Sequence, residues 1–430
     1  MEDSLPDFVT AKNGHERHFT KKARTVLHAI AVTIHENDAA ISSVVEIQNF
    51  GKLLRRCVAD LHADGLLTLR DIQASQARLN ESARASIKEL RTEFTHYFPA
   101  STLGMEADAP FVLGPVTFMT REQWIESVDF SQTVLERSSR TPEKNANWKA
   151  SLKAALTNNK QDEDPYGLAG QLYTVLRHCP SILKITIKGY EYDLSRKVGE
   201  IVCKTALDSI SLLFGGREFF HQQALADERL QPIETYRLLE SEGHLWTPGR
   251  TLGPRIRNLS HKRVSEELAK HPEVLDAFAY VLNALVEPAN AKHPDLVKRW
   301  STALDWMAEG QRDKNDAVAL AKIASSLDVL ACGGKFPGIL ALVLHLTKAS
   351  PEDVVVKGLK PRTLRAVIKE IYDNGRSQIL HGTHFDRLVS FEETKSHAAY
   401  FARLALLECV LRLQKFNGPD GDKEFRTMPR

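Results

Sequence analysis

The residues best suited to chemistry lie in one stretch, Ile371-Tyr-Asp-Asn-Gly-Arg-Ser-Gln-Ile-Leu-His-Gly382, where four residues separate Arg376 from His381. An imidazole near its unperturbed pKa of about 6.5 can accept or return a proton. A guanidinium stays charged and can hold an anion and stabilise charge growing on its oxygens. The stretch continues an amphipathic helix whose apolar face is Leu364, Val367, Ile368, Ile371 and Tyr372. Gly382 directly after His381 suits the left-handed residue that closes a helix. Five residues of an ideal helix turn about 140° beyond a full circle, so Arg376 and His381 do not share a face. They converge only if the helix is distorted, for which Gly375 is the natural place, or if a second chain completes the site. The plainer reading is that His381 caps a helix end as a cation and Arg376 pairs with Asp373 on the surface.

A second stretch, Arg255-Ile-Arg-Asn-Leu-Ser-His261, again pairs arginine with histidine and sits in the densest positive run of the chain, with Arg250, Lys262 and Arg263. It reads as a basic RNA-contacting loop followed by a helix capped by Ser260, or as a solvated surface paired with Glu266 and Glu267. His384 reads as a loop histidine with a supporting role, oriented by Asp386. Trp300 and Trp306 read as core residues rather than stacking platforms. No GxxxxGK[ST], HExxH, GxSxG or GxGxxG pattern occurs, so neither a nucleotide-driven nor a zinc-driven reaction is indicated. The five cysteines, Cys57, Cys179, Cys203, Cys332 and Cys409, form no CxxC pair, which argues against a disulfide framework and for free thiols in a reducing cytoplasm. No cofactor and no metal are expected.

The elements that must position these residues follow from composition and periodicity. The chain has 430 residues, 43% hydrophobic and 26% charged, which suits two or three globular domains. No run of about 18 apolar residues suggests a spanning helix, and the acidic N-terminus is wrong for a secretory signal. From Val297 onward 21 Lys+Arg face 16 Asp+Glu, a net +5, against −3 for the remainder. The fold class read from these patterns is mainly α with an α+β middle region. Residues 1–98 predict helices over 25–34, 44–61 and 72–98, the last stopped by Pro99. Residues 99–292 predict a mixed sensing or regulatory region. It holds a hairpin about Gly114-Pro115, a helix near Trp124, a polar linker over 138–165 and a strand over 183–189. A helix over 193–214, strand-like patches over 230–246, a loop over 247–254 and helices over 263–286 complete it. Residues 297–416 predict a bundle of five helices, over 297–308, 315–331, 337–348, 361–381 and 397–416, and 417–430 a tail.

With the helical context in place, Tyr372-x-x-x-Arg-Ser-x-Ile-x-His-Gly382 resembles the R-x4-6-H motif of HEPN domains, in particular the Apea-like group. The upstream helix Ala319-Leu-Ala-Lys-Ile-Ala-Ser-Ser-Leu-Asp-Val-Leu330 resembles that group's early helix, with Leu327-Asp328 in place of a Leu-Glu pair. The resemblance covers 297–416 and leaves no place for strands there. It implies an endoribonuclease that works without metal, because RNA carries its own nucleophile, the 2′-hydroxyl. Arg376 and His381 would be catalytic, and Ser377, Tyr372, Gly382 and His384 supporting. Arg362, Arg365 and Lys369, with Arg255 and Arg257, would contact RNA. Such nucleases form homodimers with a composite cleft and often act as antiviral or toxin-like effectors under N-terminal control by a trigger. Many relatives have lost catalysis, so a non-catalytic dimerisation or RNA-binding module is the second reading.

Overall fold

Apolar spacing of three and four residues forms helices through most of the chain in the computed structural model, which describes residues 7–67, 71–137, 146–157, 167–228, 234–253, 259–386 and 388–430. The chain is mainly α with small sheets. It divides into two compact units, one made of Met1–His96 with Thr186–Glu200, the other of Tyr97–Ile185 with Ile201–Arg430. Among the described residues no single helix is long and apolar enough to cross a membrane.

In the first unit a hairpin of β1 (Asp7–Thr10) and β2 (Glu16–Phe19) precedes α1 (Lys21–Asn37), α2 (Ala39–Ser42), α3 (Ile47–Ala63) and α4 (Ile72–Leu90). Side-chain caps open three of these helices: Thr20 accepts from the Ala23 amide, Asp38 from Ala40 and Asp71 from Ala74. Ala31, Phe50, Leu54, Cys57, Ala83 and Ile87 form the core between them. The expected helix over 72–98 ends at Leu90, and β3 (Glu93–Ser101) follows. The change is local: Thr92, Phe94, Thr95, Tyr97 and Phe98 are β-branched or aromatic, and Pro99 lies within the strand instead of stopping a helix.

In the second unit β4 (Phe111–Leu113) and β5 (Val116–Thr120) form the expected hairpin about Gly114-Pro115, with Phe111 opposite Phe118. They belong to a five-stranded sheet of order β4-β5-β6-β3-β7, in which β6 (Ser181–Lys188) lies antiparallel to β5 and β7 (Ala224–Leu225) antiparallel to β3. A capping box at Thr120 and Gln123 starts α5 (Arg121–Ser127), and α6 (Gln132–Arg137) follows. The linker expected over 138–165 contains a helix, α7 (Trp148–Thr157), because Trp148 and Leu152 stand four residues apart and are both buried; residues 138–145 and 158–165 lie outside the described residues. After α8 (Gly167–Leu176), α9 (Tyr192–Phe214) ends at Gly215 with φ +84°, and α10 (Arg217–Gln222) follows. The patches over 234–245 are short strands, β8 (Glu234–Arg237), β9 (Glu240–Ser241) and β10 (His244–Leu245). The loop expected over 247–254 carries β11 (Gly249–Leu252), paired with β8.

Helices α11 (His261–Leu268) and α12 (Pro272–Val286) lead into α13 (Pro294–Arg312), α14 (Asp316–Leu330) and α15 (Lys335–Thr347). The central helix is α14, where Ala319, Leu320, Ile323, Ala324, Leu327 and Leu330 have no exposed surface. Trp300 is fully buried beside them and donates its indole N–H to the Leu406 carbonyl at 2.8 Å. Trp306 departs from the expectation: it is 40% exposed, because six residues of helix turn it far from Trp300. The stretch expected to be purely helical also carries a hairpin, β12 (Val354–Val356) with β13 (Arg362–Thr363), favoured by the β-branched run Val354-Val-Val356. Then come α16 (Leu364–Glu370), a π-helical segment Ile371–Ser377, α17 (Gln378–Leu380) and α18 (Glu392–Lys415). The segment 417–430, read as a tail, packs onto the bundle: Phe425 and Met428 are fully buried, and Asp420 caps α13 by accepting from the amides of Asp295 and Leu296.

Candidate functional site

The distortion expected at Gly375 is present. The helix begun at Thr363, whose hydroxyl accepts from the Ala366 amide, widens to π geometry over Ile371–Ser377 and returns to α only for Gln378–Leu380. The inserted residue displaces everything after it around the axis, a device common at functional sites. Its local cause is close packing: a Cβ on Gly375 would lie 2.8 Å from Leu320 Cδ2 and 2.9 Å from Leu320 Cγ. The segment therefore rests directly on α14, and the helix closes at His381 with Gly382 at φ +71°.

Arg376, at the end of the π segment, is held from three sides. Its Nη2 lies 3.0 Å from Asp328 Oδ2, its Nε donates to Ser325 Oγ at 3.2 Å, and its guanidinium carbon stands 5.6 Å from the ring centre of the buried Tyr372. Ser325 and Asp328 sit three residues apart on one face of α14, so a single helix supplies both anchors. The surface pairing considered for Arg376 and Asp373 is replaced by this half-buried one. A guanidinium has five N–H donors; the hydrogen bond and the ion pair occupy two, leaving three for an anion.

His381 is exposed, and its backbone amide donates to the Ser377 carbonyl at 3.0 Å. Ser377 contributes through that carbonyl. His384 stands edge-on to Phe391 at 4.8 Å between ring centres. Asp386 does not orient it: its carboxylate accepts from the Leu388 amide at 2.9 Å. The basic residues before the motif are partly spent. Arg362 is paired with Glu370 and Glu393, and Arg365 with Glu352 at 3.1 Å, whereas Lys369 is exposed with no ion pair among the described residues. In the second stretch Arg255 and Arg257 lie outside the described residues. Ser260 caps α11 as expected, His261 is exposed 3.9 Å from Asp108, and Arg250 pairs with Glu234. Glu267 faces Lys270 and His271. Sequence reasoning missed Ser325 and Asp328 as partners of Arg376, although their spacing on an apolar helix marks them as one polar face.

A second polar cluster links α9, α10 and α13. Lys204 meets Glu228, Asp305 and Glu309 at 2.9–3.0 Å, and the buried Arg312 pairs with Asp208 and donates to the carbonyls of Phe220 and Gln223. Burial pushes the Asp208 carboxyl up to about 7 against the opposing pull of Arg312. Burial, then Arg217 and Arg312, push His221 down to about 4. These groups tie helices together, with Asp208 Oδ2 and His221 Nε2 buried and without a hydrogen-bond partner among the described residues. Compared with known proteins, the chain matches no family model, no curated protein and no solved structure.

Proposed function

We propose that this protein is a HEPN-type endoribonuclease that cleaves RNA without metal, with Arg376 and His381 as its catalytic pair. One observation carries the reading: Arg376 is oriented by Asp328, Ser325 and Tyr372 at a π-helical break, with donors to spare, and an exposed His381 follows on the same short segment. In the proposed step His381 takes the 2′-hydroxyl proton, the 2′-oxygen bonds to phosphorus and the bond to the 5′-oxygen breaks. Arg376 holds the phosphate and stabilises the charge growing on its oxygens. The leaving oxygen needs a proton, and the second His381 of a homodimer would supply it, since a two-fold contact brings the same residues together twice. The hairpin β12–β13 departs from the strand-free bundle that the resemblance implies and counts against the reading; it lies in the connection between α15 and α16 and takes up Arg362–Thr363, the first residues of the helix expected over 361–381. In this proposal the enzyme is a cytoplasmic defence or toxin-like effector, and the residues before the bundle govern its activity.

The second reading, a non-catalytic dimerisation or RNA-binding module, rests on Arg376 already having a carboxylate partner in Asp328. The nature of the products separates the two. Purified protein incubated with total RNA in EDTA is expected to leave 2′,3′-cyclic phosphate and 5′-hydroxyl ends. Cleavage that stops in EDTA, or leaves 5′-phosphate ends, contradicts the proposed chemistry.

A further inference from the structure

The first unit contains a cleft of about 440 Å³ with no place in the RNA chemistry. One stripe of α3 lines it through Asn49, Lys52, Leu53, Arg56, Cys57 and Asp60. Lys12, the end of α4 and Glu191 with Asp193 complete the wall. Three cations and four carboxylates thus share a small cleft, yet no ion pair joins any of them. The carboxylates are held by other donors. Asp60 accepts from the Lys12 amide at 2.7 Å, Glu191 from the amides of Asp193 and Leu194, and Asp193 from the Asn49 side chain at 2.6 Å. Lys52 meets only the neutral Asn49 oxygen, and the Lys12 ammonium, the Arg56 guanidinium and the Glu89 carboxylate have no partner among the described residues.

The charges are also sorted along the cleft. Asn49 marks the end near Asp193 and Glu191, and Arg56 lies seven residues further along α3, about 10 Å by helix rise. Lys12 stands beyond it, where its amide meets Asp60. Cys57 Sγ lies 3.6 Å from Ser86 Oγ, and α4, returning along α3 after a short connection, carries Glu89 and Leu90 from there toward the Asn49 end. Lys52, on the Asn49 oxygen, shares one end with Glu191, Asp193 and Glu89, and Asp60 shares the other with Lys12 and Arg56, so the surplus charge is negative at one end and positive at the other, with Leu53, Cys57 and Leu90 between.

We propose that this cleft binds a zwitterion of tripeptide length, its ammonium on Glu89 and Asp193 and its carboxylate on Arg56 and Lys12. An extended peptide spans about 3.3–3.6 Å per residue, so three residues match the charge separation. The test is calorimetric titration of the full chain with triglycine, glycine, N-acetyl-triglycine and triglycine amide, which reads binding independently of RNA cleavage. Triglycine is expected to bind, and glycine and both capped peptides to bind on the order of tenfold or more weaker, each having lost one charge-assisted contact or the span. Arg56→Gln and Glu89→Gln are exposed changes whose folding circular dichroism can confirm. Each is expected to weaken triglycine on the order of tenfold, Arg56→Gln without further effect on triglycine amide. Absence of triglycine binding at millimolar concentration, or equal binding of the capped peptides, overturns the proposal.

Discussion

Replacing Gly375 by alanine tests how the π segment is held. Alanine in a helix interior is favoured over glycine by about 1 kcal/mol, so propensity alone predicts a gain. The structure predicts the opposite. The new methyl would meet Leu320 Cδ2 at 2.8 Å, Cγ at 2.9 Å and Cδ1 at 3.3 Å, and Leu320 is fully buried with no space to retreat into. Overpacking of this kind costs about 1–3 kcal/mol, leaving Gly375→Ala destabilised by up to about 2 kcal/mol after the propensity gain. Leu320→Ala should cost about 3 kcal/mol through lost burial and a cavity. In the double variant the clash disappears and the new methyl fills part of the cavity, so its cost should fall about 1–2 kcal/mol below the sum. Urea denaturation followed by tryptophan fluorescence on all four proteins measures this coupling. Additive costs within about 0.5 kcal/mol, or a stabilised Gly375→Ala, refute the packing argument.

Other consequences can be measured alongside it. Asp328→Ala leaves Arg376 without its charged anchor and should cost on the order of 10² in RNA cleavage, since small misplacements of an aligned group are expensive, whereas Asp328→Asn, which keeps an oxygen in place, should cost much less. His221, depressed by burial to about 4, is neutral above pH 6.5 in both states; as pH falls the unfolded chain binds the proton first. Stability should therefore drop between pH 6.5 and 4, by about 2 kcal/mol after allowing for solvent, and His221→Gln should flatten that drop in denaturation measured across the window. A homodimer is expected by sedimentation at micromolar concentration, and a strictly monomeric mass counts against the composite site.

Much of the helical framework was legible because apolar residues recur at three and four positions along each helix, and Gly375 marked the break without any knowledge of its neighbours. Leu320, the side chain that explains the break, stands 55 positions earlier and belongs to another helix. The Arg376–Asp328 pair was hidden for the same reason: contacts across helices depend on packing, which local spacing does not encode. Strand Glu93–Ser101 was lost because the apolar pattern of α4 runs on into it, and helix Trp148–Thr157 because polar stretches on both sides suggested a linker. The opposed charges of the first-unit cleft come from separate segments, Lys12, α3, the end of α4 and Glu191 with Asp193, so no single motif announced them.

The central claim is that Arg376 and His381 cleave RNA, and one comparison tests it most directly. Wild type, His381→Ala and the double variant Arg376→Ala/His381→Ala are incubated with one RNA and with DNA of the same sequence, and initial rates are followed by gel. The account predicts that wild type cleaves the RNA and spares the DNA, that His381→Ala is slower by on the order of 10² to 10⁴, and that the double variant leaves the RNA intact. Undiminished RNA cleavage by the double variant would contradict it.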